Sequence, residues 1–315
     1  RQAYKGAFND TQAQTLAGHA ISEAVKRSGV AKEEIDDVIL GAASQQGTQQ
    51  GNIARQALLR AGLPVSVAGM SLDRQCASGM MAIATAAKEI IDDCMKITVG
   101  GVFESVSLTR NEHFRTDRAR DPWFETYLPT LYMTMIETAE NVAQRYGISR
   151  EAQDEYSYQS QMRTANAQGA GLLDTEIVPL KSQMKIKDKE TGKILTKEVN
   201  LKNDEGNRTN TTLDGLSSLK PVFKDGIYLK KGNYITAGNA SQLSDGASAC
   251  VLMEATEVEK RGLQPLGIYR GISVAGCEPD EMGIGPVFAV PKLLKQHNLK
   301  INDIGPVSYT HLTLP

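Results

Sequence analysis

The stretch Asp73-Arg74-Gln75-Cys76-Ala77-Ser78-Gly79 joins a predicted strand over residues 65–72 to a predicted helix over residues 80–91. A strand, a tight turn of small residues and a helix start form the geometry that exposes a nucleophile above an α/β sheet. The first N–H groups of the helix and its dipole favour a thiolate at Cys76. Taken alone, the stretch leaves open the alternative of a cysteine that is buried as a small apolar side chain.

On both sides of this turn the chain alternates helices and strands. Apolar residues recur at helical spacing in residues 11–28 and 52–61, and residues 80–91 are apolar on nearly every side, which predicts a buried helix. Short apolar runs predict buried strands at residues 38–42, 97–102 and 247–254. This alternation predicts an α/β fold around a mainly parallel sheet.

The pattern changes between about residue 108 and residue 233. Polar helices are predicted at residues 138–146 and 150–168, and a lysine-rich hairpin at residues 185–199. Most of these lysines are expected to be solvated side chains on a charged hairpin. A few of them could guide an anionic ligand towards the protein. We interpret the region as an insertion carried by the α/β body.

A weak internal repeat predicts a second α/β half. Residues 290–304 repeat the helix, connection and strand start of residues 21–38. The predicted organisation is a first half at 1–108 plus 243–262, an insertion at 109–242, the start of a second half at 263–306, and a non-native tail at 307–315.

A second polar loop with small side chains lies between two apolar runs, and its polar and glycine residues are Gly238, Asn239, Ser241, Asp245 and Gly246. Such loops bind ligands, but taken alone they more often simply turn the chain.

The other three cysteines are not expected to take part in catalysis. Cys94 and Cys250 lie in apolar contexts that predict buried thiols, and Cys277 has no identifiable partner in its glycine-rich loop. Four cysteines without a CxxC pair indicate a reducing compartment. No metal-ligand spacing is present, so no metal site is expected.

Composition limits the class of protein. With 35 basic and 37 acidic residues, a net charge of −2 and 5% aromatics, nothing favours a nucleic-acid partner. No apolar run is long enough to predict a membrane span. A cytoplasmic location is expected, and a mitochondrial or peroxisomal one stays open because the chain begins at Arg1.

Several segments resemble those of the thiolases, acyl-CoA C-acyltransferases, and they follow the family's order from residue 1 to about residue 304. Besides the turn at Cys76, they are residues 51–57, 138–143, 146–151, 204–216, 219–223, 236–241, 244–247 and 282–286. The resemblance implies a thiolase-like fold of two similar α/β halves with a loop-domain insertion, the second half incomplete.

The resemblance also implies a site. Cys76 is expected to carry the acyl group, and Arg208 and Ser241 to contact coenzyme A, with Arg208 near its phosphate or adenine end. The implied reaction cleaves a 3-ketoacyl-CoA with CoA or condenses two acyl-CoA molecules. Coenzyme A is then a substrate rather than a permanent cofactor, and the family's homodimers and homotetramers imply a homo-oligomer.

The chain departs from the family pattern after residue 304. The family's Asn-Glu-Ala-Phe and Gly-His-Pro segments and its second cysteine in a Cys-x-Gly loop do not occur here, and we assign His311 no role in their place. We therefore expect the native C-terminus to be missing and the chain to turn over poorly. The alternatives are a non-catalytic, thiolase-like acyl-CoA or lipid-binding protein and a relative of the β-ketoacyl synthases.

Overall fold

The computed structural model describes residues 2–3 and 6–305; the expected tail at 307–315, with His311, lies outside the described residues. The chain forms two compact units. The first comprises Arg1–Arg115, Asp174–Gly206 and Gln242–Arg270, and the second comprises Thr116–Leu173, Asn207–Ser241 and Gly271–Pro315. The predicted division into two similar halves and an insertion stays a prediction.

Every strand in the described residues belongs to the first unit. They are β1 (Gln2–Ala3), β2 (Asp37–Gly41), β3 (Ala68–Leu72), β4 (Ile97–Ser105), β5 (Leu180–Lys187), β6 (Ile194–Leu201) and β7 (Ser244–Met253). Strands β5 and β6 form the predicted hairpin, and the others form one sheet in the order β1-β7-β4-β2-β3.

The α-helices include those predicted from the sequence and several short ones that were not predicted. They are α1 (Ala13–Ser28), α2 (Ile53–Arg60), α3 (Ser78–Asp92), α4 (Val106–Thr109), α5 (Pro122–Tyr127), α6 (Met135–Arg145), α7 (Arg150–Gly169), α8 (Leu213–Ser217), α9 (Ala255–Lys260) and α10 (Gly285–Gln296). Short 3₁₀ turns occur at Lys32–Glu34, Gly47–Gln49, Pro129–Tyr132, Pro279–Ile284 and Ile301–Asp303.

The sheet is mixed, so the expectation of a mainly parallel sheet is only half right. Strand β2 pairs in parallel with β3 on one side and with β4 on the other. Strand β7 pairs antiparallel with β4 over the full length of β4. Two antiparallel strands need no crossover helix between them. Strand β7 can therefore pair with β4 although more than 130 residues separate the two strands in the chain.

The core lies on both faces of this sheet. Val38 and Leu40 face α1 and α2, whereas Ile39 between them faces Ala82 and Ala86 of α3. Alternate residues of a strand point to opposite faces, so one buried strand serves two helical layers. This explains why β2 reads as a continuous apolar run.

Helix α3 is not buried on all sides as predicted. Its alanines pack on the sheet, but Met80 is 54% exposed and Ile91 is 65% exposed. The helix packs closely through its small residues, so among the described residues its larger apolar side chains have little to cover them.

Two further expectations are wrong. Cys94 lies in the turn after α3 with a φ of 61°, and it is exposed rather than buried, because the helix ends at Asp92 before reaching it. The strand predicted from residue 65 begins at Ala68, because residues 64–67 form a turn closed by a bond from Val67 N to Pro64 O (3.1 Å).

Candidate active site

The turn between β3 and α3 is closed by its own polar side chains. The backbone N–H of Gln75 donates to Asp73 Oδ1 (2.6 Å), and the buried Ser78 hydroxyl donates to Gln75 O (2.6 Å). Ser78 Oγ also accepts from Arg74 N (2.8 Å). These bonds hold Gln75 in the left-handed region at a φ of 49°, which non-glycine residues seldom adopt. The result is a sharp reversal that leaves Cys76 exposed two residues before the first residue of α3, Ser78.

Cys76 and Cys94 lie at opposite ends of α3, and both are exposed. Cys76 precedes the N-terminus, where unpaired N–H groups and the positive end of the dipole stabilise an anion. Cys94 follows the C-terminus, where the last carbonyl oxygens of the helix lie. Of these two exposed thiols, Cys76 is therefore the one at the helix end that carries backbone N–H donors.

The other two cysteines lie in less accessible positions. The Cys250 thiol on β7 donates to Gly100 O (3.6 Å), and burial raises its pKa. The prediction of a structural thiol is confirmed there. Cys277 has the partners that the sequence did not identify, since its thiol lies 3.9 Å from Met282 O and 4.0 Å from Glu281 O.

Part of the predicted polar loop between Gly238 and Gly246 is strand. Asp245 is fully buried on β7 and accepts from the Ser107 backbone N–H (2.9 Å) and hydroxyl (2.5 Å). Burial raises its pKa, and these hydrogen bonds oppose the rise. The side chain therefore joins β7 to the start of α4, and the prediction that Asp245 lies in a loop is wrong, because β7 begins at Ser244.

Arg208 lies in the second unit, where α7 holds its backbone. The backbone N–H of Arg208 donates to Gln161 Oε1 (2.9 Å), and the Asn207 amide donates to the same oxygen (2.9 Å) and to Gln161 O (2.8 Å). The Arg208 side chain is exposed, and no hydrogen bond or ion pair joins its guanidinium to another described residue. Its backbone is thus fixed while its charge faces solvent, which suits contact with a phosphate.

Ser241 is exposed at the end of a turn in the same unit. Asn239 Oδ1 accepts from the buried Thr236 N (2.8 Å), and Thr236 Oγ1 accepts from Asn239 N (3.2 Å). Two reciprocal side-chain bonds fix this turn without a regular element. Arg208 and Ser241 therefore lie in one unit, and Cys76 lies in the other.

Two buried carboxylates on α6 were missed by the sequence analysis. Glu137 and Glu140 are each 1% exposed. Glu137 accepts from the N–H groups of residues 227–229 at 2.7–3.1 Å, and Glu140 accepts from those of residues 233–235 at 2.7–3.1 Å. The sequence shows these residues as two acids three positions apart on a polar helix. The same pattern occurs on helix faces that are exposed to solvent, so it did not predict burial.

The far end of α6 holds a second segment. Arg145 forms ion pairs with Asp280 (2.7 Å) and Glu281 (2.6 Å), and the Asn141 amide donates to Asp280 O (3.2 Å). This segment leads into Met282, the start of one of the stretches that resemble the thiolases. Helix α6 thus organises two loops of the second unit.

Within residues 2–3 and 6–305, no group of three or more His, Cys, Asp and Glu residues is arranged to hold a metal ion. None of the helices in the same part combines the length and apolarity needed to cross a bilayer.

Comparisons with known proteins agree with this arrangement. The family model for the N-terminal domain of thiolases matches residues 1–256. The 3-ketoacyl-CoA thiolase of Bacillus subtilis is 37% identical over 312 residues, which cover 96% of this chain and 75% of that protein. The peroxisomal 3-ketoacyl-CoA thiolase B of Mus musculus is 35% identical, and the match covers 96% of this chain and 68% of that one.

A solved structure gives the same result for the fold. The acetyl-CoA acetyltransferase of Bacillus anthracis superposes with a TM-score of 0.79 at 37% identity, over 96% of this chain and 75% of that chain. The predicted thiolase-like α/β fold is confirmed by this match.

Proposed function

The chain belongs to the thiolase family, and from that premise we propose that it is an acyl-CoA C-acyltransferase whose Cys76 thiol carries the acyl group. The relatives named above are thiolases and an acetyltransferase, not β-ketoacyl synthases, which favours thiolase chemistry over that alternative. The acceptor is coenzyme A or a second acyl-CoA, so the reaction cleaves a 3-ketoacyl-CoA or forms one.

The observation that carries the proposal is the position of Cys76, exposed on a closed turn at the N-terminus of α3. Its thiolate attacks the carbonyl carbon of an acyl-CoA thioester. The new bond joins Cys76 Sγ to that carbon, the bond from the carbon to the CoA sulfur breaks, and the CoA thiolate leaves and takes up a proton. In condensation, the acyl group then passes from Cys76 Sγ to the α-carbon of a second acyl-CoA, which loses a proton, and the Cys76 thiolate is restored. In cleavage, the Cys76 thiolate instead attacks the keto carbon of a 3-ketoacyl-CoA, the bond from that carbon to the α-carbon breaks, and the released α-carbon takes up a proton. Free CoA then takes the acyl group from Cys76 in a ping-pong sequence.

Binding of the CoA moiety is assigned to the second unit. Arg208 supplies an exposed cation on a fixed backbone, which suits the phosphate or adenine end of CoA, and Ser241 supplies a hydroxyl on a fixed turn. The lysine-rich hairpin of β5 and β6 raises the local concentration of the anionic substrate, a smaller effect. No resident cofactor takes part in this scheme.

Isotope exchange tests the chemistry directly. Protein at a concentration equal to the substrate is incubated with acetyl-CoA and isotope-labelled CoA, so that even a slow reaction is visible. We expect label to enter acetyl-CoA without any third substrate, because the acyl-enzyme forms reversibly. Cys76→Ser should abolish the exchange and Cys94→Ser should leave it unchanged. CoA binding without exchange would support the non-catalytic binding protein instead.

We propose three further properties on the same premise. The protein is a homo-oligomer, a dimer or tetramer, and the edge position of β3 with Met70 exposed on it supports association there. The protein has no permanently bound cofactor.

Its location is cytoplasmic, with the peroxisome as the alternative that the names of several relatives suggest. Light scattering, spectroscopy of the purified protein and imaging of a tagged chain test these in turn.

A further inference from the structure

One ion pair on α7 reaches two segments of the second unit. The Arg150 guanidinium donates from Nη2 to Leu216 O (2.6 Å) and from Nη1 to Leu219 O (3.2 Å), at α8 and just after it. Its Nε donates to Asp154 Oδ2 (2.8 Å), one helical turn further on. The other carboxylate oxygen of Asp154 accepts from Asn239 Nδ2 (3.0 Å).

The pair is enclosed. The side chain of Asp154 is 5% exposed and that of Arg150 is 16% exposed. The bonds from Arg150 to Asp154 and to Leu216 O are charge-assisted and partly buried, so each is stronger than its equivalent at the surface. Removing one partner leaves the other charge without compensation in a buried place.

The two segments that the pair joins also touch each other. A Cβ at Gly238 would lie 2.5 Å from Leu216 Cδ2 and 2.6 Å from Leu219 Cδ1, so glycine is needed for the close approach. The Asn239 amide that Asp154 binds follows directly and also donates to Tyr234 O (2.9 Å). The contact at Gly238 and the ion pair therefore fix the same junction from two sides.

Both candidate CoA contacts are adjacent to this junction along the chain. Arg208 precedes α8 by a few residues, and its backbone is bound to Gln161 on the same helix α7. Ser241 comes two residues after Asn239. Helix α7 thus holds the segments that carry both Arg208 and Ser241.

We propose that Arg150 and Asp154 are positioning residues that set the spacing between Arg208 and Ser241 and thereby the affinity for the nucleotide end of coenzyme A. The inference rests on the proposed function, because it takes Arg208 and Ser241 as the groups that contact CoA. Neither Arg150 nor Asp154 touches the substrate in this account. Both act through the two segments that they hold.

The test compares Asp154→Asn with the unchanged chain in binding to CoA and to pantetheine, which lacks the nucleotide. An asparagine keeps the size and can still accept from Asn239, but its amide nitrogen cannot accept from Arg150. We expect CoA affinity to fall roughly tenfold, the effect of losing one charge-assisted hydrogen bond, while pantetheine affinity is unchanged. Glu155→Gln is the matched control, since it makes the same charge change on the next residue, whose hydrogen-bond partner is Gln159 on the same helix.

Two further variants separate positioning from mere loss of stability. Gln161→Ala releases the backbone of Arg208 without touching the ion pair, and it should also lower the ratio of CoA to pantetheine affinity. Arg208→Ala combined with Asp154→Asn should lose no more CoA affinity than Arg208→Ala alone. A structural role alone would lower the melting temperature and both affinities together.

The inference is overturned if Asp154→Asn binds CoA as tightly as the unchanged chain, or if CoA and pantetheine lose affinity equally. If the unchanged chain binds pantetheine and CoA equally well, Arg208 has no role in binding and the inference fails with that assignment. If it binds neither, the proposed function itself fails. The rate of Cys76 alkylation by iodoacetamide should stay the same in every variant, because the nucleophile lies in the other unit.

Discussion

Gly41, the last residue of β2, lies directly against the backbone of Ser78, the first residue of α3. A Cβ added to Gly41 would be 2.3 Å from Ser78 C and 2.4 Å from Ser78 O. The helix that follows Cys76 therefore starts in contact with the sheet, at a separation that only glycine allows. The position of the nucleophile depends on this contact.

Gly41→Ala should push the start of α3 away from the sheet. Because the clash is with backbone atoms rather than a flexible side chain, we expect a loss of about 2 kcal/mol in the free energy of unfolding and slower alkylation of Cys76. Urea unfolding and iodoacetamide kinetics measure the two effects. Gly169→Ala is the control, since a Cβ there meets no atom within 4 Å. Equal behaviour of the two variants would contradict the argument.

The strained backbone of Gln75 gives a second prediction. Its φ of 49° is unfavourable for β-branched residues and free for glycine. We expect Gln75→Val to lower the melting temperature and the acylation rate of Cys76, and Gln75→Gly to retain both. Differential scanning calorimetry and single-turnover acylation give the comparison. A valine variant as stable as the glycine variant would show that the turn relaxes easily.

Glu140 gives a third prediction, because it accepts three backbone N–H groups from residues 233–235 in a buried place. Glu140→Ala leaves these donors without a partner, so we expect a loss of about 3 kcal/mol or more in the free energy of unfolding. Gln144→Ala, an exposed change on the same helix, should be nearly neutral. Chemical denaturation followed by circular dichroism compares them, and equal midpoints would refute the role of the carboxylate.

Glu89 makes stability depend on pH. Burial, Asp37 and Asp93 raise the pKa of this carboxyl from 4.5 to about 7, and its Oε2 has no hydrogen-bond partner within the described residues. The folded state therefore holds a proton that the unfolded state releases between these values, so the free energy of unfolding falls as the pH rises from 4.5 to about 7.

Glu89→Gln should remove this pH dependence. We expect the variant to melt at a higher temperature than the unchanged chain at pH values above about 7, with the difference shrinking toward pH 4.5. Asp92→Asn, an exposed change at the end of the same helix, is the control. A melting-temperature difference that is constant with pH would contradict a raised pKa of Glu89 in the folded state.

The α/β body could be predicted from sequence because local pattern and burial agree there. Residues 38–42 read as a buried strand, and β2 occupies Asp37–Gly41. The small residues around Cys76 were sufficient to predict the turn between β3 and α3. The direction of β7 could not be predicted, since an apolar run has no polarity that distinguishes parallel from antiparallel pairing.

The support of the candidate site was harder to predict than the site itself. Arg208 and Ser241 came from a family resemblance, whereas Glu137, Glu140 and Asp154 lie on helices whose polar sequence predicts surface acids. A buried carboxylate that binds backbone N–H groups looks the same in sequence as a solvated one. Its role depends on loops that lie 85 to 95 residues away in the chain.

The central claim is that Cys76 becomes acylated by acyl-CoA, and mass spectrometry measures this most directly. The chain is incubated with acetyl-CoA, quenched in acid and digested, and the peptides that contain Cys76 and Cys94 are compared. The account predicts one acetyl group on Cys76, none on Cys94, and its release on adding free CoA. An unmodified Cys76 in a chain that binds acetyl-CoA, or equal acetylation of both cysteines, would contradict it.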